Sequence, residues 1–462
     1  MTATSTPATP LPAQRRTFHH VLANTLVTSV VNFTVWFAVT FFVYLETHSV
    51  FATGVIGGIF TALTALSGVW FGSLVDHHRK RSVMLASSAA SLTLYLAALA
   101  VHLAAGPEAF RDPTSPVLWA FVLLLMTGVI VGNIRGIAMS TVVTLLVPEQ
   151  GRDRANGLVG TASGVSFLVT SVISGLLVGL SGMLAVLLLA VVATVAAIVH
   201  LASLSIPEAR AQRSGDEPKR VDLRGTIALV TAVPGLLALI VFATINNFLG
   251  GVFMALMDPY GLSLVSVEAW GLLWGVLSTG FIVGGLVINR RGLGRNPLRA
   301  LLVANLVLWT ICSVFAVRSS IVLLAVGMFV YMCVIPFVEA SEQTVLQKVV
   351  PFERQGRVFG FAQSVEQAAS PLTAFLISPV AQFVFIPFMT TGAGAQLLGP
   401  WFGTGPERGL ALLFTLAGLL GLVLTLAAFG TRHYRRLSQR YLAAPVDEVP
   451  PGPEQQAVAV AA

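Results

Sequence analysis

Charge is what this chain of 462 residues has least of: 10% of its residues are Asp, Glu, Lys or Arg, against 55% apolar. A water-soluble protein carries about 25% charged and about 45–50% apolar residues, and a surface facing water needs that charge. A soluble α/β enzyme is therefore excluded. Cysteine is scarce as well. Cys312 and Cys333 are the only two, both inside apolar runs, which argues against a disulfide framework and a zinc site. No glycine-rich loop ends in Lys-Ser or Lys-Thr, so ATP is not the expected energy source. His19, His20, His77 and His78 lack carboxylates at ligand spacing, and no metal is expected. Nothing after the uncharged stretch Met1 to Ala13 resembles the cleavage site of a secretory leader.

Long apolar runs are what the chain has instead. A helix needs about 20 apolar residues to cross about 30 Å of hydrocarbon. Twelve such runs are present, near 19–45, 50–75, 82–105, 116–146, 155–179, 182–205, 227–256, 266–289, 298–317, 320–347, 357–388 and 409–430. They predict an all-α membrane protein with twelve transmembrane helices. Only Leu180-Ser181-Gly182 separates the fifth run from the sixth.

The net charge of +7 is dispersed in short basic clusters between these runs. That is a pattern of membrane orientation and not a nucleic-acid surface. Alternate connections carry Arg and Lys, while the others hold only Arg111, Arg318 and Arg408. An even helix count with both termini in the cytoplasm follows.

The chain also repeats itself. Thr141, Val147, Pro148, Arg154 and Gly157 recur as Thr344, Val350, Pro351, Arg357 and Gly360, all at an offset of 203 residues. A weaker echo pairs Gly72-Ser73-Leu74-Val75 with Gly284-Gly285-Leu286-Val287. Two six-helix pseudo-repeats are expected, over 19–206 and 226–431, with a cytoplasmic N-terminal segment over 1–18. A polar cytoplasmic linker over 207–225 and a partly disordered tail over 432–462 complete the division. Duplicated bundles of this kind are one route to alternating access.

With the repeat in view, several segments resemble a known family. GSLVDHHRKR, from Gly72 to Arg81, is similar to the signature G-x-L-x-D-R-x-G-R-[RK] between helices two and three of the major facilitator superfamily. VPEQGRDRANGL and VPFERQGRVFG are similar to segments of its macrolide-efflux-type drug:proton antiporter branch. The resemblance covers about Arg16 to Arg436. It implies a cytoplasmic gate in which Asp76 meets the start of helix eleven, Gly72 lets the helices approach, and Lys80 and Arg81 belong to the loop. This chain departs from the signature at His77 and Arg79, and Ile288 replaces the aspartate in the second half.

Ionisable residues inside spans are costly and mark function by default. Arg135 lies 13 residues before Pro148, or about 20 Å of helix, and Glu339 lies 12 before Pro351, or about 18 Å. Both sit near mid-depth. The resemblance places helices four and ten on a central cavity, where the two would face each other. Glu342 follows one turn below Glu339 with Gln343 beside it, and Gln363, Glu366, Gln367 and Ser370 share one face of helix eleven. Glu339, Glu342 and Glu366 are candidate carriers of a coupling proton, with Arg135 as a charge partner. Fixed interhelical hydrogen bonds are the alternative use of the same acids. Asn32, Trp36, Asn246, Asn247, Tyr331, Gln343 and Gln367 are candidates to line a cavity for a small, partly apolar substrate.

These readings converge on a monomeric secondary transporter in a bacterial cytoplasmic membrane, without cofactor and driven by the proton gradient. Export of hydrophobic or amphipathic compounds leads. A proton-coupled importer or an exporter of one metabolite, such as a siderophore, is the second reading, and a non-transporting receptor the third. No catalytic cluster suggests an enzyme.

Overall fold

The computed structural model describes residues 12–47, 50–207 and 222–443. Most of the expected linker, the first residues and the end of the tail lie outside them. Among the described residues all regular structure is helical. The first half comprises α1 (Pro12–Thr47), α2 (Val50–His77), α3 (Lys80–Ala104), α4 (Pro116–Leu146), α5 (152–181) and α6 (183–203). The second comprises α7 (Leu236–Leu262), α8 (Val267–Arg291), α9 (Pro297–Val314), α10 (Ile321–Val349), α11 (Gln355–Val380) and α12 (Pro406–Gly430), followed by α13 (Arg432–Ala443). Ten helices are long and apolar enough to cross a membrane by the described residues alone. With α2 and α5 they make the twelve spans of two six-helix halves.

Local chemistry sets the helix ends. Ser266, Asn296 and Ser320 accept hydrogen bonds from the N–H groups of Ala269, Arg299 and Leu323, capping α8, α9 and α10. The short link between α5 and α6 is a single residue, Gly182, whose φ of 70 breaks the helix. The seventh run differs from its expected bounds of 227–256. It divides at Pro234-Gly235 into a short helix, Leu223–Ala232, and α7, because Pro234 has no N–H to continue the ladder and Gly235 adopts a φ of 88. The connection near 390–409 contains two short helices, Ala393–Leu397 and Gly399–Phe402.

Lipid gives helices no hydrophobic reason to associate, so close packing and hydrogen bonds must hold them. The apolar cores show where this succeeds. One core, around Val35, Phe42, Tyr95 and Phe121, belongs wholly to the first half. Another, around Phe253, Trp309, Phe315 and Phe414, belongs wholly to the second. A third joins both halves: Phe71, Val75, Val142 and Leu146 pack in one cluster with Val345, Leu346, Val358 and Phe359. The joint core lies at the end carrying the basic loops (hereafter the basic end), while the separate cores lie toward the opposite, far end. Large side chains such as Leu66, Leu272, Phe375 and Phe383 are at least three-quarters exposed, as a lipid-facing rim requires.

Gly421 of α12 lies against the indole of Trp309 on α9, where a Cβ would collide with the ring. Gly421→Leu is therefore expected to cost about 1–3 kcal/mol and to lower the melting temperature of the detergent-solubilised protein. Gly430→Leu, at a position with open space around it, should leave that temperature unchanged.

Candidate functional site

The basic end is built from reciprocal contacts between the halves. Asp76, at the end of α2, has a side chain only 1% exposed. Its Oδ1 accepts from the Gly356 N–H at 2.6 Å and its Oδ2 from the Arg357 N–H at 2.8 Å. These N–H groups begin α11 and have no partner within the helix, so a carboxylate satisfies them and meets the positive end of the dipole. The Arg357 guanidinium adds a longer contact, Nε to Oδ2 at 3.6 Å, and is hydrogen-bonded to His77 at 3.0 Å. Glycine makes the approach possible: a Cβ on Gly72 would strike the Gly356 carbonyl, and one on Gly360 the Gly68 carbonyl. Lys80 donates to the Val75 carbonyl at 2.7 Å and lies 5.3 Å from the Phe352 ring of the other half. Arg81 turns away and donates to the Leu201 and Ala202 carbonyls at the end of α6.

The pseudo-equivalent crossing, α5 on α8, has no aspartate in its loop because Ile288 stands there. The carboxylate comes from the opposite partner. Asp153, in the first turn of α5, accepts from the Leu293 N–H at 2.9 Å in the α8–α9 connection. A Cβ on Gly157 would press into Ile288, and one on Gly285 into Thr161 and the Gly157 carbonyl. Between the two crossings a polar knot joins α4, α5 and α10. Asn156 donates to Thr344 Oγ1 and Gln347 Oε1, each at 2.9 Å, and Gln347 Nε2 donates to the Ser140 carbonyl at 3.0 Å. Arg152 and Gln355, related by the offset of 203, both donate to the Gln347 carbonyl. Glu149 and Lys348 form an ion pair at 2.5 Å. Asp153, Asn156 and Gln347 were not among the expected site residues. Their signal lay in the repeated segments, at positions that differ between the two copies.

Toward the middle of the bundle the acids gather on α10 and α11. Glu342 of α10 and Glu366 of α11 lie side chain to side chain. Two carboxyl groups so placed can share a hydrogen bond only when one of them carries a proton. Each also has an oxygen withdrawn from water without a partner. Glu339 is exposed on α10, and Gln343, on the same helix, has a buried Oε1 without a partner. Arg135 follows a break in α4 at Asn133 and is buried. Its guanidinium is held within the first half, donating to Ser88 Oγ at 2.6 Å, the Met84 carbonyl at 3.3 Å and Asn24 Oδ1. Among the described residues no ion pair links it to Glu339.

Of the expected cavity residues, Asn32 and Asn246 serve equivalent structural bonds. Asn32 accepts from the Tyr95 hydroxyl at 3.0 Å, and Asn246 accepts from the Trp309 indole at 2.6 Å. Both pairs join the first and third helices of a half, at a common offset of 214. Asn247 and Gln367 are exposed, and Tyr331 is half-buried. Trp36 packs on Phe37 and Phe60 and has an indole N–H without an acceptor.

This architecture of two six-helix halves closed on an Asp76 latch matches a family model over residues 21–374, described as the Major Facilitator Superfamily. The chain belongs to that superfamily. It is thus a multi-pass membrane transporter of small molecules and not an enzyme. It is 22% identical over 380 residues to macrolide efflux protein A of Streptococcus pyogenes, covering 78% of this chain and 88% of the relative. A protein of the same name from Enterococcus faecalis is 22% identical over 329 residues, 67% of this chain and 94% of that one. Similar solved folds include a bacterial homologue of the iron transporter ferroportin in an outward-facing state (TM-score 0.64, 16% identity, 90% of this chain and all of that one). The human organic anion transporter MFSD10 is similar at a TM-score of 0.66 and 16% identity, over 89% of this chain and 100% of its own.

Removing the charge from Asp76 while keeping its shape, by Asp76→Asn, leaves one of the two α11 N–H groups with a neutral acceptor and the other facing an amide NH2 donor. A loss of about 1.5–3 kcal/mol from the closed basic end is expected. A cysteine introduced at Thr161, under Gly285, should then react about tenfold faster or more with a small maleimide. Asp153→Asn, which bears on a single N–H group of the other half, should give the smaller increase.

Proposed function

We propose that this transporter exports hydrophobic or amphipathic compounds from the bacterial cytoplasm in exchange for protons. The basic end is the cytoplasmic one, as the positive-inside rule requires. The observation that carries the proposal is the contact between Glu342 and Glu366. A proton held between two carboxyls on different helices is released when those helices part, and helices part when a bundle rocks. Alternating access therefore supplies what a coupling site needs, a change of surroundings tied to the change of access.

In the state described here the cytoplasmic end is sealed by Asp76, Asp153 and the knot around Gln347. Glu339 is exposed, so this is the state in which the acids load protons from outside and the substrate leaves. When the latches release and the far end closes, Glu342 and Glu366 exchange their neighbours, the proton passes to the cytoplasm and a new substrate enters. Arg135 stabilises the first half through Asn24 and Ser88, and acts on the acids by its field alone. The wall offered to the substrate combines the Trp36 indole, Tyr331 and the amides of Gln343, Asn247 and Gln367. Aromatic surface with a few polar groups suits amphipathic ligands. The names of the macrolide efflux relatives support a large amphipathic cargo.

Cells producing the protein should accumulate less labelled macrolide than control cells, and a protonophore should abolish the difference. In proteoliposomes, Glu342→Gln and Glu366→Gln are expected to slow transport driven by a pH gradient about tenfold or more while sparing exchange without a gradient. Full gradient-driven rates in both variants would remove the dyad from the mechanism.

A further inference from the structure

The helix after the last span segregates its chemistry sharply. In α13 (RHYRRLSQRYLA), Leu437, Ser438 and Tyr441 are buried against the second half, whereas Arg432, Arg435, Arg436 and Arg440 are all exposed. The docking is specific. Gly235, at a φ of 88, lets α13 come so close that a Cβ there would stand 2.6 Å from the His433 carbonyl and 2.8 Å from Leu437. Asn296 donates to Ser438 Oγ at 2.6 Å.

Beside this dock opens a small cleft of about 50 Å³, large enough to hold only part of a ligand. Leu239 and Phe242 of α7, Leu298 and Leu301 of α9, and Tyr434 and Leu437 of α13 form its apolar walls; Thr431 and His433 give a polar edge. Arg432 and Arg436 flank those same α13 residues, and Arg299 is exposed next to Leu298. An apolar cleft alone takes any hydrocarbon, and exposed arginines alone take any anion. Only an amphipathic anion uses both.

We propose that this cleft and its arginine rim bind an anionic phospholipid, with hydrocarbon in the cleft and the headgroup phosphate among the arginines. Charge complementarity favours this occupant: anionic lipids concentrate at a membrane surface that basic helices flank. The site also has a line to the gate. Tyr441, one turn beyond Leu437, lies beneath Lys348, whose Nζ is 4.6 Å from the ring and 2.5 Å from Glu149 of the first half. Burial, together with the Glu149 and Asp153 carboxylates, pushes the Tyr441 phenol up to about 12, so the ring stays neutral under the lysine. A lipid that fastens α13 thereby fastens one support of the closed basic end. The inference stands independently of how protons are carried.

Native mass spectrometry of the full-length protein in detergent, titrated with phosphatidylglycerol or with phosphatidylcholine of the same chains, tests it. Wild-type protein should retain phosphatidylglycerol about tenfold or more over phosphatidylcholine. Replacing Arg432, Arg435 and Arg436 by Gln should remove the preference. Ala428→Trp, which fills the cleft from a half-buried position in its wall, should weaken retention with the arginines intact. Equal retention of the two lipids by wild type would overturn the proposal. So would retention unchanged in both variants, or displacement of the lipid by inorganic phosphate alone, which would mark an anion site without a place for hydrocarbon.

Discussion

A carboxylate withdrawn from water must find donors, and Asp76 finds them in the first N–H groups of α11. Much of the interface follows from that requirement. The bond forms only if α2 and α11 touch backbone to backbone, so Gly68, Gly72 and Gly360 leave no side chains between them. The touch brings Phe71 and Val75 onto Val358 and Phe359, which makes the basic end a shared core. A contact resting on two short hydrogen bonds and small residues is strong when closed and has few intermediate forms. That is the property a gate needs.

The two halves repeat one plan and divide the labour. Asn32 with Tyr95 and Asn246 with Trp309 brace the first and third helices of each half in the same way. Gly157 and Gly360 place α5 on α8 and α11 on α2. Against this common frame the charges are unequal. The second half holds Glu339, Glu342 and Glu366, and the first holds Arg135, locked to Asn24 and Ser88. The second crossing shows how such divergence is tolerated: with Ile288 in the loop, Asp153 on the facing helix supplies the carboxylate. What persists is an acid on a loop or helix N–H at each crossing, not the position it comes from.

Much of the fold was legible in the sequence because its determinants are additive. Hydropathy over 20 residues gives a span whatever the neighbours do, and alternating Arg and Lys give the loops. The Asp76 signature was legible because the backbone geometry it serves demands a particular glycine and a particular acid. The division of the seventh run was harder to see, since Leu223–Ala232 is apolar enough to continue a span and only Pro234-Gly235 interrupts it. The site was less legible. Whether Asn32 and Asn246 face a cavity or a neighbouring helix depends on rotation about the helix axis, which spacing within one helix cannot fix. Arg135 and Glu339 share a depth, but depth leaves direction open, and Arg135 turns toward α1 and α3.

Separate cores at the far end and a joint core at the basic end give two bundles that share an apolar core at the basic end alone among these clusters. The account requires that closure at one end be exchanged for closure at the other. Paired spin-label distances, one pair across the basic end and one across the far end of the same protein, measure this directly in proteoliposomes under a pH gradient with and without substrate. The account predicts that the basic-end distance lengthens as the far-end distance shortens. Distances that lengthen together, or a far end that never closes, would contradict it.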